Sequence, residues 1–188
     1  MIHTLRIFLY ILLFIFSAVV LSLCAARLYY TLHLKPYDPL NYGVQFYDPI
    51  VVEILVTSIF TLFWSPFVAR TIHARLEHRH INFFRGEIIG LFILFLFWIV
   101  GAGIATHTGN PPDPRTHWGN LSACWDYSSC RVLTAMLAFT WVSWIMVLAL
   151  LATSFLFASA NKAFLEPMHG RWDRRETFYG STPMRNLP

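Results

Sequence analysis

The stretch VLTAMLAFTWVSWIMVLALLATSFLFASAN, residues 132–161, decides the fold, because it runs for thirty residues without one charged side chain. A helix that crosses the hydrocarbon core of a bilayer needs about 20 such residues. Three further stretches reach that length: residues 7–26 and 88–106 carry no charge, and residues 49–69 carry only that of Glu53. The longest stretch exceeds the core, so its helix must tilt or project past the membrane surface.

The composition of the whole chain supports the same conclusion. Of the 188 residues, 56% are hydrophobic and 13% are charged, and the charged share is about half of that in soluble domains. We therefore predict an all-α membrane protein, a four-transmembrane-helix bundle with spans at about 5–27, 49–69, 87–107 and 131–160. The membrane domain covers 1–165, and a polar cytosolic tail follows at 166–188. The first span is interpreted as a retained helix, because its apolar run exceeds the roughly 7–15 residues of a signal-peptide core.

The distribution of basic residues predicts the orientation. With both termini on one side, that side carries ten of the fourteen Lys and Arg residues and the opposite side carries four. Cytosolic loops are the ones enriched in Lys and Arg, so both termini and the loop at 70–87 are expected in the cytosol. The net charge of +4 then reflects topology, and no nucleic-acid partner is expected. The location that fits is the plasma membrane or the secretory pathway.

The second outer loop carries the residues that an oxidising compartment would modify. Cys124 and Cys130 both lie in this loop, and such a compartment would pair them as a disulfide that caps the bundle. The alternative is a pair of free thiols. Asn120 begins an Asn-Leu-Ser glycosylation sequon in the same loop, which is a weak signal so close to the membrane.

Two helix faces are candidates for packing or for a partner. Glu53, Thr57 and Thr61 share one face of the second span, and a charge at membrane depth is expensive, so this face should look into the bundle or at a partner. The functional interpretation of Glu53 is an ion or proton site, and the structural one is a carboxylate bonded to a neighbour, which we favour. The third span carries a second set of small residues that allow close helix approach, namely Gly86, Gly90 and Gly101. Packing inside one bundle explains them as well as dimerisation does.

The sequence contains no recognisable catalytic signature. It has no Cys-x-x-Cys pair and no Gly-rich phosphate loop, and no row of acids or arginines lies within a span. We expect no catalytic residue, no metal site and no cofactor, while bound lipid or sterol would be compatible with the class.

Several short stretches resemble those of the small fungal tetraspan proteins with a MARVEL-type domain. They are Phe46–Glu53 at the start of the second span, Leu96–Ala102 in the third, Cys124 and Cys130–Ala135 at the end of the third loop, and Ala138–Trp141 in the fourth span. The resemblance covers roughly residues 1–160. It implies a four-helix bundle with both ends cytosolic, and an association with membrane apposition, vesicle traffic and sterol-rich membrane patches. No active residue is implied.

Three hypotheses for function follow. The first is a non-enzymatic protein that organises or scaffolds the membrane through self-association or lateral helix packing, as a homo-oligomer among membrane lipids. The alternative is an accessory subunit docked on a larger membrane-protein partner, such as a transporter or a cell-wall polysaccharide synthase. The third is a lipid-handling protein or enzyme in which Glu53 is the key group.

Overall fold

The computed structural model describes residues 2–34, 44–45, 47–74, 84–106 and 128–161. Within these ranges the chain forms four α-helices and no strand: α1 (Ile2–Leu32), α2 (Pro49–His73), α3 (Phe84–Thr106) and α4 (Ser128–Asn161). All four are long and apolar enough to cross a membrane, so the prediction of a four-helix membrane architecture is confirmed for the described residues. α1 has 31 residues and α4 has 34, which is more than the hydrocarbon core of a bilayer requires. Both helices must therefore tilt or project past the membrane surface.

The four helices form a ring in which each packs on its two neighbours in the chain and α4 closes on α1. Neighbours in this ring run antiparallel, so α1 and α3 start at the same end of the bundle, where α2 and α4 finish. We call this the N-terminal end, and the end where α1 and α3 finish the opposite end. Side chains near the starts of α1 and α3 therefore lie at the same level, across the bundle from one another.

The distribution of polarity is that of a protein surrounded by lipid. Large apolar side chains are exposed on the outside, with Phe63 at 75% and Leu156 at 65% of their full accessibility. The interior contains a core of apolar side chains, but it also contains fully buried polar residues on all four helices. These include Ser17, Ser58, Glu87 and Ser143. Lipid tails provide no hydrophobic driving force between helices, so close packing and hydrogen bonds must hold such a bundle together.

The ends of α2 follow from local chemistry. Asp48 precedes the helix in an extended conformation and Pro49 occupies the first turn, where the missing N–H of proline costs nothing. Pro66 lies inside the helix, yet α2 continues to His73 and so extends beyond the span expected from sequence. Helix-breaking residues are tolerated inside membrane helices when neighbouring groups satisfy the freed backbone.

Candidate functional site

A cluster of polar side chains around Glu87 lies buried near the N-terminal end of the bundle. Arg6 forms an ion pair with Oε2 of Glu87, and neither side chain has any exposed surface. Oε1 of Glu87 accepts hydrogen bonds from the Tyr10 hydroxyl at 2.7 Å and from the Ser154 hydroxyl at 3.0 Å. Three helices therefore meet at one carboxylate, which accepts from three donors as an ionised carboxylate does.

Aromatic rings complete the surroundings of this cluster. The guanidinium carbon of Arg6 lies 4.9 Å from the ring centroid of Phe84, a cation–π contact. Phe84 packs in turn on Phe157, with the ring centroids 5.4 Å apart. Glu87 itself lies in the first turn of α3, where the helix dipole favours a negative charge. The positive charge of Arg6 balances the negative charge of Glu87, and the contacts of Glu87 join α1, α3 and α4.

This cluster is not among the sites predicted from sequence. Arg6 counts there among the basic residues of the cytosolic side, and residue 87 marks the start of the third span. A signal was available, because a base near the start of α1 and an acid near the start of α3 lie at one level in any up-and-down bundle. What the sequence lacked was the order of the helices around the ring.

The face of α2 that carries Glu53 points toward α3. The Thr57 hydroxyl donates to Oε1 of Glu53 at 3.0 Å, and both threonines of this face, Thr57 and Thr61, are buried. Oε2 of Glu53 is buried without a hydrogen-bond partner and lies against Gly101. Glu53 thus bonds to a neighbour one turn away.

Thr61 links two helices through its hydroxyl. It accepts a hydrogen bond at 3.1 Å from the indole N–H of Trp98, a buried residue of α3, and donates to the carbonyl of Thr57 at 2.8 Å. This hydrogen bond joins α2 to α3 near the middle of both helices.

Replacing Thr61 with Val is expected to lower the free energy of unfolding by about 0.6 kcal/mol, the mean strength of a hydrogen bond between membrane helices. The indole N–H of Trp98 would lose its acceptor. The measurement is an unfolding titration with denaturing detergent in mixed micelles. Thr140→Val is the control, because the buried hydroxyl of Thr140 bonds only the carbonyl of Met136 in its own helix. An equal loss in both variants would contradict the role of the helix–helix hydrogen bond.

Two of the three candidate glycines lie where α2 approaches α3. A Cβ at Gly90 would overlap the indole ring of Trp64, and one at Gly101 would lie 2.9 Å from Cγ1 of Ile54 and would overlap Glu53. Gly86 is half-buried. Gly90 and Gly101 therefore pack inside this chain, and their role toward an outside partner stays a prediction.

A second buried ion pair lies at the opposite end of the bundle. Nη2 of Arg27 is 3.9 Å from Oδ2 of Asp48, and both side chains are more than nine-tenths buried. Cys24, one turn away on α1, is a fully buried free thiol, as expected for a small apolar residue. Arg27 therefore faces the interior, and α1 continues past it to Leu32.

Several predicted site residues cannot be placed. Asn120 and Cys124 lie outside the described residues, and Cys130 lies in the first turn of α4, where its side chain is not described. The disulfide and the glycosylation stay predictions. Within the described ranges, no three His, Cys, Asp or Glu side chains come close enough to hold a metal ion.

Two apolar depressions open on the outer surface of the bundle. The first, the α2–α3 groove, has a volume of about 640 Å³ and is lined by Phe60, Phe63, Trp64, Phe67, Gly90, Ile93, Leu94 and Phe97. The second, the α3–α4 recess, has a volume of about 460 Å³ and is lined by Ile88, Ile89, Phe92, Leu148, Leu151, Ala152 and Phe155. Both are lined by residues of the long apolar runs, and the described side chains of the bundle leave both open.

These features define a class of protein: a four-helix bundle with an apolar outer surface, charges paired inside, and helices suited to crossing a membrane. Comparison with known protein families, curated proteins and solved structures gives no match to this chain. The resemblance to MARVEL-type proteins therefore stays a prediction.

Proposed function

We propose that this protein is a non-enzymatic integral membrane protein that organises the membrane by self-association, with the α3–α4 recess as its contact surface. The observation that carries the proposal is the recess itself, an open apolar depression between two helices with Ala152 among its lining residues. Helices associate in lipid where small residues and open grooves allow close van der Waals contact.

The interior contacts leave this recess as the better surface for a second copy. Gly90 and Gly101 are already covered by α2, so the small residues of the α2–α3 face serve the chain itself. On α4, Leu148, Leu151, Ala152 and Phe155 follow the spacing of one helix face. Most soluble homo-oligomers close by a two-fold axis, which would bring the same patch of each copy together.

The proposal keeps the finer predictions made from sequence. Both termini face the cytosol, Cys124 and Cys130 form a disulfide in the second outer loop, and the domain is of the MARVEL type. The membrane is that of the cell surface or the secretory pathway. The concentration of Lys and Arg in the loops assigned to the cytosol supports the orientation. The oxidising environment on the other side of the membrane supports the disulfide.

Replacing Ala152 with Phe is expected to fill the recess and reduce the assembly to single chains of 21.8 kDa. Ala152 is exposed in the isolated chain, so the larger side chain should leave the fold intact. The measurement is the mass of the native complex, extracted directly into lipid nanodiscs, with every co-purifying chain identified. The wild type is expected at a whole multiple of the chain mass.

The control for this experiment is Ala26→Phe, which changes an exposed alanine of α1 far from the recess and should leave the mass unchanged. A wild-type complex that contains one chain and a single large partner would make the protein an accessory subunit instead. A wild-type chain that is monomeric without any partner would contradict both proposals.

A further inference from the structure

The α2–α3 groove is the larger depression on the lipid-facing surface, and its lining is almost entirely apolar. Aromatic side chains of α2, among them Phe63 and Phe67, form one wall, and Ile93 and Phe97 of α3 form the other. Phe63 is exposed to 75%, so the described side chains of the bundle do not cover this wall of the groove. At hydrocarbon depth an open groove of this kind is filled by an acyl chain or by another helix.

The register of the two helices shows what lies at the mouth of the groove. Gly90 packs on Trp64 and Gly101 packs on Ile54, so α2 and α3 run antiparallel with these residues opposite each other. Continuing from Trp64 to the end of α2 places Arg70 within one residue of the position opposite Arg85. Arg85 lies at the same level at the N-terminal end of the bundle, but its spacing from Ile88 and Phe92 places it on the side of α3 that carries the α3–α4 recess.

Arg70 is available to a ligand in the groove. It is exposed, and it follows Phe63 and Phe67 by seven and three residues, which places it along the same strip of α2. The helix rises only about 4.5 Å from Phe67 to Arg70. Within the described residues, the one acid at this end of the bundle is Glu87, which is buried against Arg6. The exposed charge at the mouth of the groove is thus positive.

We infer that the α2–α3 groove binds an anionic phospholipid, with one acyl chain between the two helices and the headgroup phosphate at Arg70. The apolar lining selects the chain, and the guanidinium group selects the headgroup, since arginine forms strong charge-assisted hydrogen bonds with phosphate. Basic residues next to a membrane helix attract anionic lipid. This site lies apart from the α3–α4 recess, so the inference does not rest on self-association.

The test uses the full chain in nanodiscs of phosphatidylcholine with a small fraction of brominated lipid, either phosphatidylserine or phosphatidylcholine. Bromine on an acyl chain quenches the fluorescence of an indole that it touches, and Trp64 lines the groove. Subtracting the signal of the Trp64→Phe variant isolates the contribution of this residue. Brominated phosphatidylserine is expected to occupy the groove with a preference over phosphatidylcholine of roughly 5-fold, the effect of one arginine close to an anionic headgroup.

Two sets of variants separate the headgroup from the groove. Arg70→Gln should abolish the preference, while Arg85→Gln, at the same level but away from the groove, and Arg131→Gln, at an exposed arginine of the opposite end, should preserve it. Ile93→Phe keeps Arg70 and narrows the groove, so quenching by both lipids should fall. Equal quenching by both lipids in the wild type would overturn the inference, as would protection of Trp64 from both by a partner helix. Loss of oligomers in the same samples would leave the inference unaffected.

Discussion

Replacing Arg6 with Met is expected to lower the free energy of unfolding by about 3 kcal/mol. The substitution leaves the carboxylate of Glu87 buried without its counter-charge, while both of its oxygens remain fully enclosed. Breaking a buried ion pair from one side costs about 3–5 kcal/mol, and a lone charge at membrane depth costs a similar amount. Glu87→Met should lower the free energy of unfolding by a similar amount, because it removes the carboxylate with which Arg6 forms its ion pair.

The double variant with Met at both positions separates the ion pair from simple packing. Removing both charges at once leaves no uncompensated charge, so most of the stability should return. Recovery should be incomplete, since the hydroxyls of Tyr10 and Ser154 would still lose the acceptor that they share. Unfolding titrations of the four proteins of this cycle provide the measurement, with Arg131→Met as an exposed control. Additive losses in the double variant would show that the two charges do not act as a pair.

The number of helices could be predicted from sequence because the membrane imposes it. An apolar run of about 20 residues in such a chain forms a membrane-crossing helix. Each of the four runs lies in one of the helices α1 to α4. The ends of the helices were harder to predict. A span of about 5–27 locates the apolar run of the first helix, whereas α1 itself continues past Arg27, which pairs with Asp48, to Leu32.

The contacts inside the bundle depend on information that a single sequence does not carry. Glu53, Thr57 and Thr61 could be assigned to one face from their spacing alone, but the acceptor role of Thr61 toward Trp98 requires knowledge that α3 lies beside α2. Arg6 and Glu87 are 81 residues apart in the chain and sit on helices across the ring from each other. Periodicity identifies a face, and the order of the helices decides what that face touches.

The pairing of interior charges connects the fold to the proposed role. Arg6 of α1 pairs with Glu87 of α3, and Arg27 of α1 pairs with Asp48, which directly precedes α2. These buried pairs lie at the two ends of the bundle and keep their charges off the outer surface. A rigid bundle of this kind can present fixed depressions to lipid and to other helices. The α3–α4 recess and the α2–α3 groove are such depressions, and each is tested above by a substitution that changes its shape.

Replacing Gly90 with Leu is expected to lower the free energy of unfolding by about 3 kcal/mol, the upper end of the usual cost of overpacking. Any Cβ at this position would overlap the indole ring of Trp64, a large planar group that packs on Phe67 and has to move as one unit. The better helix propensity of Leu offsets less than about 1 kcal/mol of this cost. Unfolding titrations in mixed micelles measure the effect.

Gly103 provides the matched control, because a Cβ there would meet no atom within 4 Å. Gly103→Leu should therefore be neutral or slightly stabilising, since it removes a glycine from a helix without crowding a neighbour. Trp64→Ala in the Gly90→Leu background should recover part of the loss, because residues in contact show non-additive effects. If Gly90→Leu and Gly103→Leu behaved alike, the close approach of α2 and α3 at Gly90 would be wrong, and the register that places Arg70 opposite Arg85 would fail with it.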